Sequence, residues 1–121
     1  MQVLFESRDA DGERLRAVAV RRLRFALRRL GWLVPRARVL LSDVNGPRGG
    51  VDKRCQIEFR TARDGTVVIT SMSRDWHGAL DAAIARAGRV LVRLWQRGRE
   101  HRRGPGRDTL TRRLQPAPIP R

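Results

Sequence analysis

The segment Asp75 to Arg97 must form a helix with two unlike faces. Trp76, Leu80, Ala83, Ile84, Ala87, Leu91 and Leu94 recur at three- and four-residue spacing. At about 100° per residue they line one strip of a helix. Arg86, Arg89, Arg93 and Arg97 are spaced three, four and four and line the neighbouring strip. The apolar strip needs a surface to dock on, so the chain must supply a second layer. Glu13 to Leu30 repeats the design, with Leu15, Ala19, Leu23, Ala26 and Leu30 opposite Arg14, Arg21, Arg24 and Arg28.

The second layer is a sheet. Gln2 to Ser7 is short and β-prone, and the turn-rich residues 8–12 after it offer Asp11 as a candidate N-cap. The first helix closes near Gly31, before Pro35. Arg36 to Val44 alternates, with Ala37, Val39 and Leu41 on one side and Arg38, Leu40 and Ser42 on the other. Asn45 to Gly50 reads as a loop, and Asp52 to Arg60 alternates again. Asp64-Gly65 is a two-residue hairpin signal before the partner strand Thr66 to Ser73. The second helix starts at Asp75, with Ser73 or Arg74 at its cap. The order is β-α-β-β-β-α, an α+β class. Strands joined by tight turns form an antiparallel meander, and the helices cover one face. We place one domain at 1–97 and a flexible basic tail, rich in proline and glycine, at 98–121. That tail carries seven arginines and two acids.

Charge narrows the function. With 27 basic and 12 acidic residues the formal net charge is +15, and only one of the 27 is a lysine, Lys53. Such an excess favours a polyanion. Arginine adds bidentate phosphate contacts and stacking, although a GC-rich genome alone would also raise arginine over lysine. Between Ala82 and Arg97 there is no acid, and only Glu13 opposes seven arginines between Glu13 and Leu30. Like charges three and four apart weaken a helix unless a polyanion cancels them.

Catalytic and metal signals are weak. Asp75, His77 and Asp81 lack a nucleophile, and His77 and Asp81 stand four apart as a surface pair would. One cysteine and two histidines, far apart, give no metal-ligand spacing, and Cys55 reads as a packed thiol. Gly46 to Gly50 lacks the Lys-Ser/Thr ending of a phosphate loop. No enzyme and no cofactor are expected. With no secretory signal and no apolar run near membrane-spanning length, a cytoplasmic protein is expected. Trp76 reads as core and Trp32 as a cap on the core, while Trp95 fits either core or base stacking.

The run Asp75-Trp76-His77-Gly78-Ala79-Leu80-Asp81, followed by Arg86, Arg89, Leu91 and Arg93, resembles the ribosome hibernation-promoting factors, also called ribosome-associated inhibitors or sigma-54 modulation proteins. That family carries here an Asp, a large apolar residue, small residues, Ile, Asp or Asn, then basic residues. Arg22, Arg28 and Arg8 also fall where the family is basic. The resemblance spans about residues 1 to 97. It implies a four-stranded sheet with two near-parallel helices on one face. It further implies binding in the messenger and transfer RNA channel of the small ribosomal subunit, and a block on translation during starvation or stationary phase. The partners are then 16S rRNA and ribosomal proteins, with no membrane and no small-molecule substrate. The 24 residues after Arg97 are too few for the dimerisation domain of longer members, so the chain reads as a short form. His77 departs from the usual aromatic, Phe25 stands where the family is often basic, and 45–53 is longer and more basic than usual.

The RNA-contacting set so expected is Arg8, Arg21, Arg22, Arg24, Arg28, Arg86, Arg89, Arg93 and Arg97. Rival readings are a general double-stranded RNA or DNA binder and a regulatory module for an acidic protein surface.

Overall fold

The computed structural model describes residues 1–44 and 52–103, with side chains described as far as Arg99. The expected loop at 45–50 and the tail beyond 103 lie outside the described residues. The elements are β1 (Gln2–Ser7), α1 (Ala10–Glu13), α2 (Arg16–Ala26), a 3-10 turn (Gly31–Leu33), β2 (Arg36–Asp43), β3 (Lys53–Arg60), β4 (Thr66–Ser73) and α3 (Trp76–Arg103). The strands form one sheet in the order β1-β2-β3-β4. The meander holds for β2, β3 and β4, which pair antiparallel. β1 instead joins β2 in parallel register, Gln2 opposite Arg36 and Ser7 opposite Leu41. A helix lies between these two strands in sequence, and a helical crossover returns the chain in the same direction.

The pleat sorts the side chains. Phe5, Ala37, Val39, Leu41, Cys55, Ile57, Phe59 and Ile69 point to one face and are buried there. Ala19, Leu23 and Leu27 of the first helical segment and Ala79, Leu80, Ala83, Ile84, Ala87 and Leu91 of α3 close the core from above. α2 packs on β1 and α3 on β3 and β4. Strands β1, β2 and β4 run one way and both helices return against them, so α2 and α3 lie side by side pointing the same way.

The first helix differs from its sequence reading. It is interrupted at Arg14 and Leu15, where the Leu15 N–H bonds the Gly12 carbonyl at 3.0 Å, a tighter three-residue turn. Gly12, just before the interruption, lies against Ser7 and Leu41, where a Cβ would overlap the Ser7 hydroxyl. The helix begins after Asp9 rather than Asp11. It ends at Ala26, and short-range bonds from Arg28 to Phe25 and from Leu30 to Leu27 carry the chain on. The buried line is therefore Ala19, Leu23, Leu27, and Ala26 faces solvent. Trp32 is 67% exposed, so it does not cap the core.

The β3–β4 connection spans residues 61–65 and is longer than the expected two-residue turn. The Thr61 N–H and hydroxyl both donate to the Gly65 carbonyl, at 2.9 and 2.8 Å. Gly65 sits at φ +76°, which explains the glycine. α3 is capped by Asp75, not Ser73 or Arg74: its Oδ1 accepts the Gly78 N–H at 2.6 Å. The helix continues through Arg103, six residues past the sequence boundary at Arg97.

Candidate nucleic-acid interface

Three sides of α3 do three jobs. Its apolar strip is buried on the sheet. At 100° per residue, Arg86, Arg89, Arg93 and Arg97 fall on the flank beside the edge strand β4. Arg86 fixes that placement, since its Nη1 donates to the Thr70 carbonyl at 2.7 Å. Arg89, Arg93 and Arg97 are exposed. Among the described residues they form no ion pair. No acid occurs in the sequence between Ala82 and Arg97.

The opposite flank of α3 meets α2. There Arg22 Nη1 pairs with Asp81 Oδ1 at 2.5 Å. Beside this pair a groove of about 480 Å³ opens between the helices, lined by Arg21, Arg22, Phe25, Ala26, Asp81, Ile84 and Ala85. Arg21 is exposed on its rim. Arg28 stacks on Phe25, its guanidinium carbon 4.2 Å from the ring centroid, and donates to the Phe25 carbonyl at 3.0 Å.

The nine arginines thus do not form one patch. Arg21 and Arg22 line the groove, and Arg28 stacks on Phe25, which also lines it. Arg86, Arg89, Arg93 and Arg97 run down the far flank of α3. Arg24 turns the other way, its Nη1 donating to the Met1 carbonyl at 3.0 Å, and so ties α2 to β1. Arg8 follows β1, exposed at the end of the sheet where α3 begins. Arg22, Arg24, Arg28 and Arg86 each have an internal partner, whereas Arg8, Arg21, Arg89, Arg93 and Arg97 extend side chains with no ion pair among the described residues.

Asp75, Asp81 and Cys55, considered for chemistry in the sequence, have structural roles. Asp75 caps α3 and Asp81 holds Arg22. Burial pushes the Cys55 thiol up to about 12. Lys53, the sole lysine, is turned inward: its Nζ lies 2.8 Å from Asp43 Oδ2, 3.3 Å from the buried Asp52 Oδ1 and 5.6 Å from the Trp76 ring centroid. The hydrogen bond to Asp43 is the main reason its ammonium form is favoured. Trp76 packs half-buried against the core. Trp95 is half-buried and carries the Arg99 guanidinium 4.9 Å from its ring centroid. Among the described residues, no group of three His, Cys, Asp or Glu could hold a metal ion, and no helix is long and apolar enough to cross a membrane.

Sequence reasoning omitted the sheet's uncovered face. Arg36, Arg38, Arg54 and Arg60 alternate there with exposed Leu4, Val68 and Met72. Its charge is partly cancelled: Arg38 bonds Glu6, which raises its pKa, and lies 3.9 Å from Glu58. The alternation of β2 and β3 carried this signal, since the partners of the buried residues must face away.

The architecture has known counterparts. A ribosomal subunit interface protein from Coxiella burnetii superposes with a TM-score of 0.64 at 13% identity, over 79% of this chain and 99% of that one. The N-terminal domain of Thermus thermophilus Protein Y superposes with a TM-score of 0.56 at 20% identity, over 78% and 99%. This chain has their fold. No protein-family model matches the sequence, and no curated protein sequence does. At these identities the likeness establishes the shared architecture, built here with this chain's own side chains.

Proposed function

We propose that the chain is a non-catalytic, cytoplasmic RNA-binding protein that occupies the messenger and transfer RNA channel of the small ribosomal subunit and blocks translation there when growth stops. The observation that carries this reading is the row Arg89, Arg93, Arg97 on α3: exposed, without an ion pair among the described residues, and held on a helix fixed at its N-terminus and along its buried strip. A rigid row of guanidinium groups suits a rigid series of phosphates, because little ordering entropy remains to be lost on contact. Arg8 and Arg21 extend the positive surface, and a net charge of +15 draws it toward rRNA. Contacts of this kind position the protein on a backbone without reading bases. The fold shared with a ribosomal subunit interface protein agrees with the reading.

Sedimentation of stationary-phase lysate tests it. The protein should comigrate with small subunits or whole ribosomes and be released by ribonuclease. Migration at the top of the gradient in untreated lysate would refute it. Comigration with bulk nucleic acid and not with subunits would favour the general duplex binder.

A further inference from the structure

Phe25 has no part in the core. It is 66% exposed on the solvent side of α2, half a turn away from the buried line of Ala19, Leu23 and Leu27. An exposed phenylalanine loses apolar burial without gaining a hydrogen bond, so its surroundings matter. Arg28 lies over the ring at 4.2 Å. The ring also lines the groove, whose other apolar members are Ala26, Ile84 and Ala85. Small residues at Ala26 and Ala85 leave the space between the helices open at this level. Arg21 stands on the rim, and Arg22 and Asp81 close one side with their 2.5 Å pair.

We propose that this groove holds one unpaired nucleobase of an RNA strand, stacked on Phe25, with the adjoining phosphate on Arg21. The inference rests on the RNA-binding reading above and adds a contact to it. A flat aromatic ring already carrying a guanidinium on its surface can extend that stack with a base, which is flat and polarisable. Arg21 and Arg28 supply the charge that a nucleotide needs, while Arg22 is held by Asp81. The single acid, Asp81, is paired and so does not repel a phosphate. A paired base lies inside its helix and cannot enter, so this contact belongs to a single strand, bulge or loop.

The test uses the full chain with two fluorescent probes, a 12-nucleotide single-stranded oligoadenylate and an RNA duplex of the same length. Phe25→Ala should weaken single-strand binding about 5- to 100-fold and leave duplex binding within about twofold. Phe25→Trp should retain single-strand binding, whereas Phe25→Leu should lose it, since leucine is apolar but cannot stack. The melting temperature of all three should match the unaltered chain. In a probe with one 2-aminopurine, fluorescence should be quenched by the unaltered chain and not by Phe25→Ala. Unchanged single-strand affinity in Phe25→Ala would overturn the proposal. So would full affinity in Phe25→Leu, equal loss on both probes, or no single-strand binding by the unaltered chain, the result expected if the groove takes an apolar anchor of an acidic peptide. The two readings fail separately. If Phe25→Ala is silent while the chain still comigrates with small subunits, only the stacking site falls. If the oligonucleotide stacks but the chain ignores small subunits, only the ribosomal reading falls.

Discussion

Leu80 and Leu91 illustrate how far single residues can be read. Both belong to the helical strip visible in the sequence, and both are buried, at 0% and 1% exposure. Replacing either with alanine should cost about 2–5 kcal/mol through lost transfer energy and the cavity left behind. A melt that hardly moved would show the strip facing elsewhere. Cys55 allows a second prediction at this scale. Its folded-state pKa, about 12, exceeds the ordinary thiol value because burial penalises the thiolate. A raised folded value means stability that is complete at lower pH and is lost as the pH rises from about 9 toward 12, where the unfolded chain ionises first. The native thiol should therefore resist an aromatic disulfide reagent at pH 8 and react at once in denaturant. Fast native labelling would contradict its burial. The cap of α3 was less legible than these core positions. Ser73, Arg74 and Asp75 are all polar, and spacing alone does not say which backbone unit is the last outside the helix.

The strands and α3 were legible as elements because their apolar periods are regular and are filled by buried side chains. The first helix was not, because its N-terminal turn rests on a contact distant in sequence. Gly12 lies against Ser7 of β1 and Leu41 of β2, and nothing in the helical period announces that approach. The parallel pairing of β1 was implicit in a helix standing between two strands. Two glycines of α3 give an element-scale prediction. Gly88 has open space where a Cβ would go, so Gly88→Ala should stabilise by up to about 1 kcal/mol through helix preference. A Cβ at Gly78 would overlap the Ser73 hydroxyl and lie 3.1 Å from Asp75 Oδ1, so Gly78→Ala should disturb the cap and lower the melting temperature. Shifts of the same sign in both variants would mean that the cap is not where α3 is held.

For the molecule as a whole, charge was legible in amount but not in distribution. The sequence shows a net +15 and two arginine-bearing helices. It does not show that Arg24 is tied to Met1, Arg86 to Thr70 and Arg22 to Asp81, which leaves fewer arginines for a partner than the spacing suggests. It also does not show that the two helices present their arginines on different sides. The central claim is that phosphates of the small subunit rest on the outer flank of α3. It is tested most directly by the salt dependence of binding to purified small subunits. The comparison is between the unaltered chain and a variant carrying Arg89→Gln, Arg93→Gln and Arg97→Gln, side chains whose removal leaves the core intact. Each phosphate contact contributes about one unit to the slope of log affinity against log salt. The account predicts weaker binding at every salt concentration and a slope shallower by about three units, with the melting temperature unchanged. An unaltered slope with unaltered affinity would contradict it.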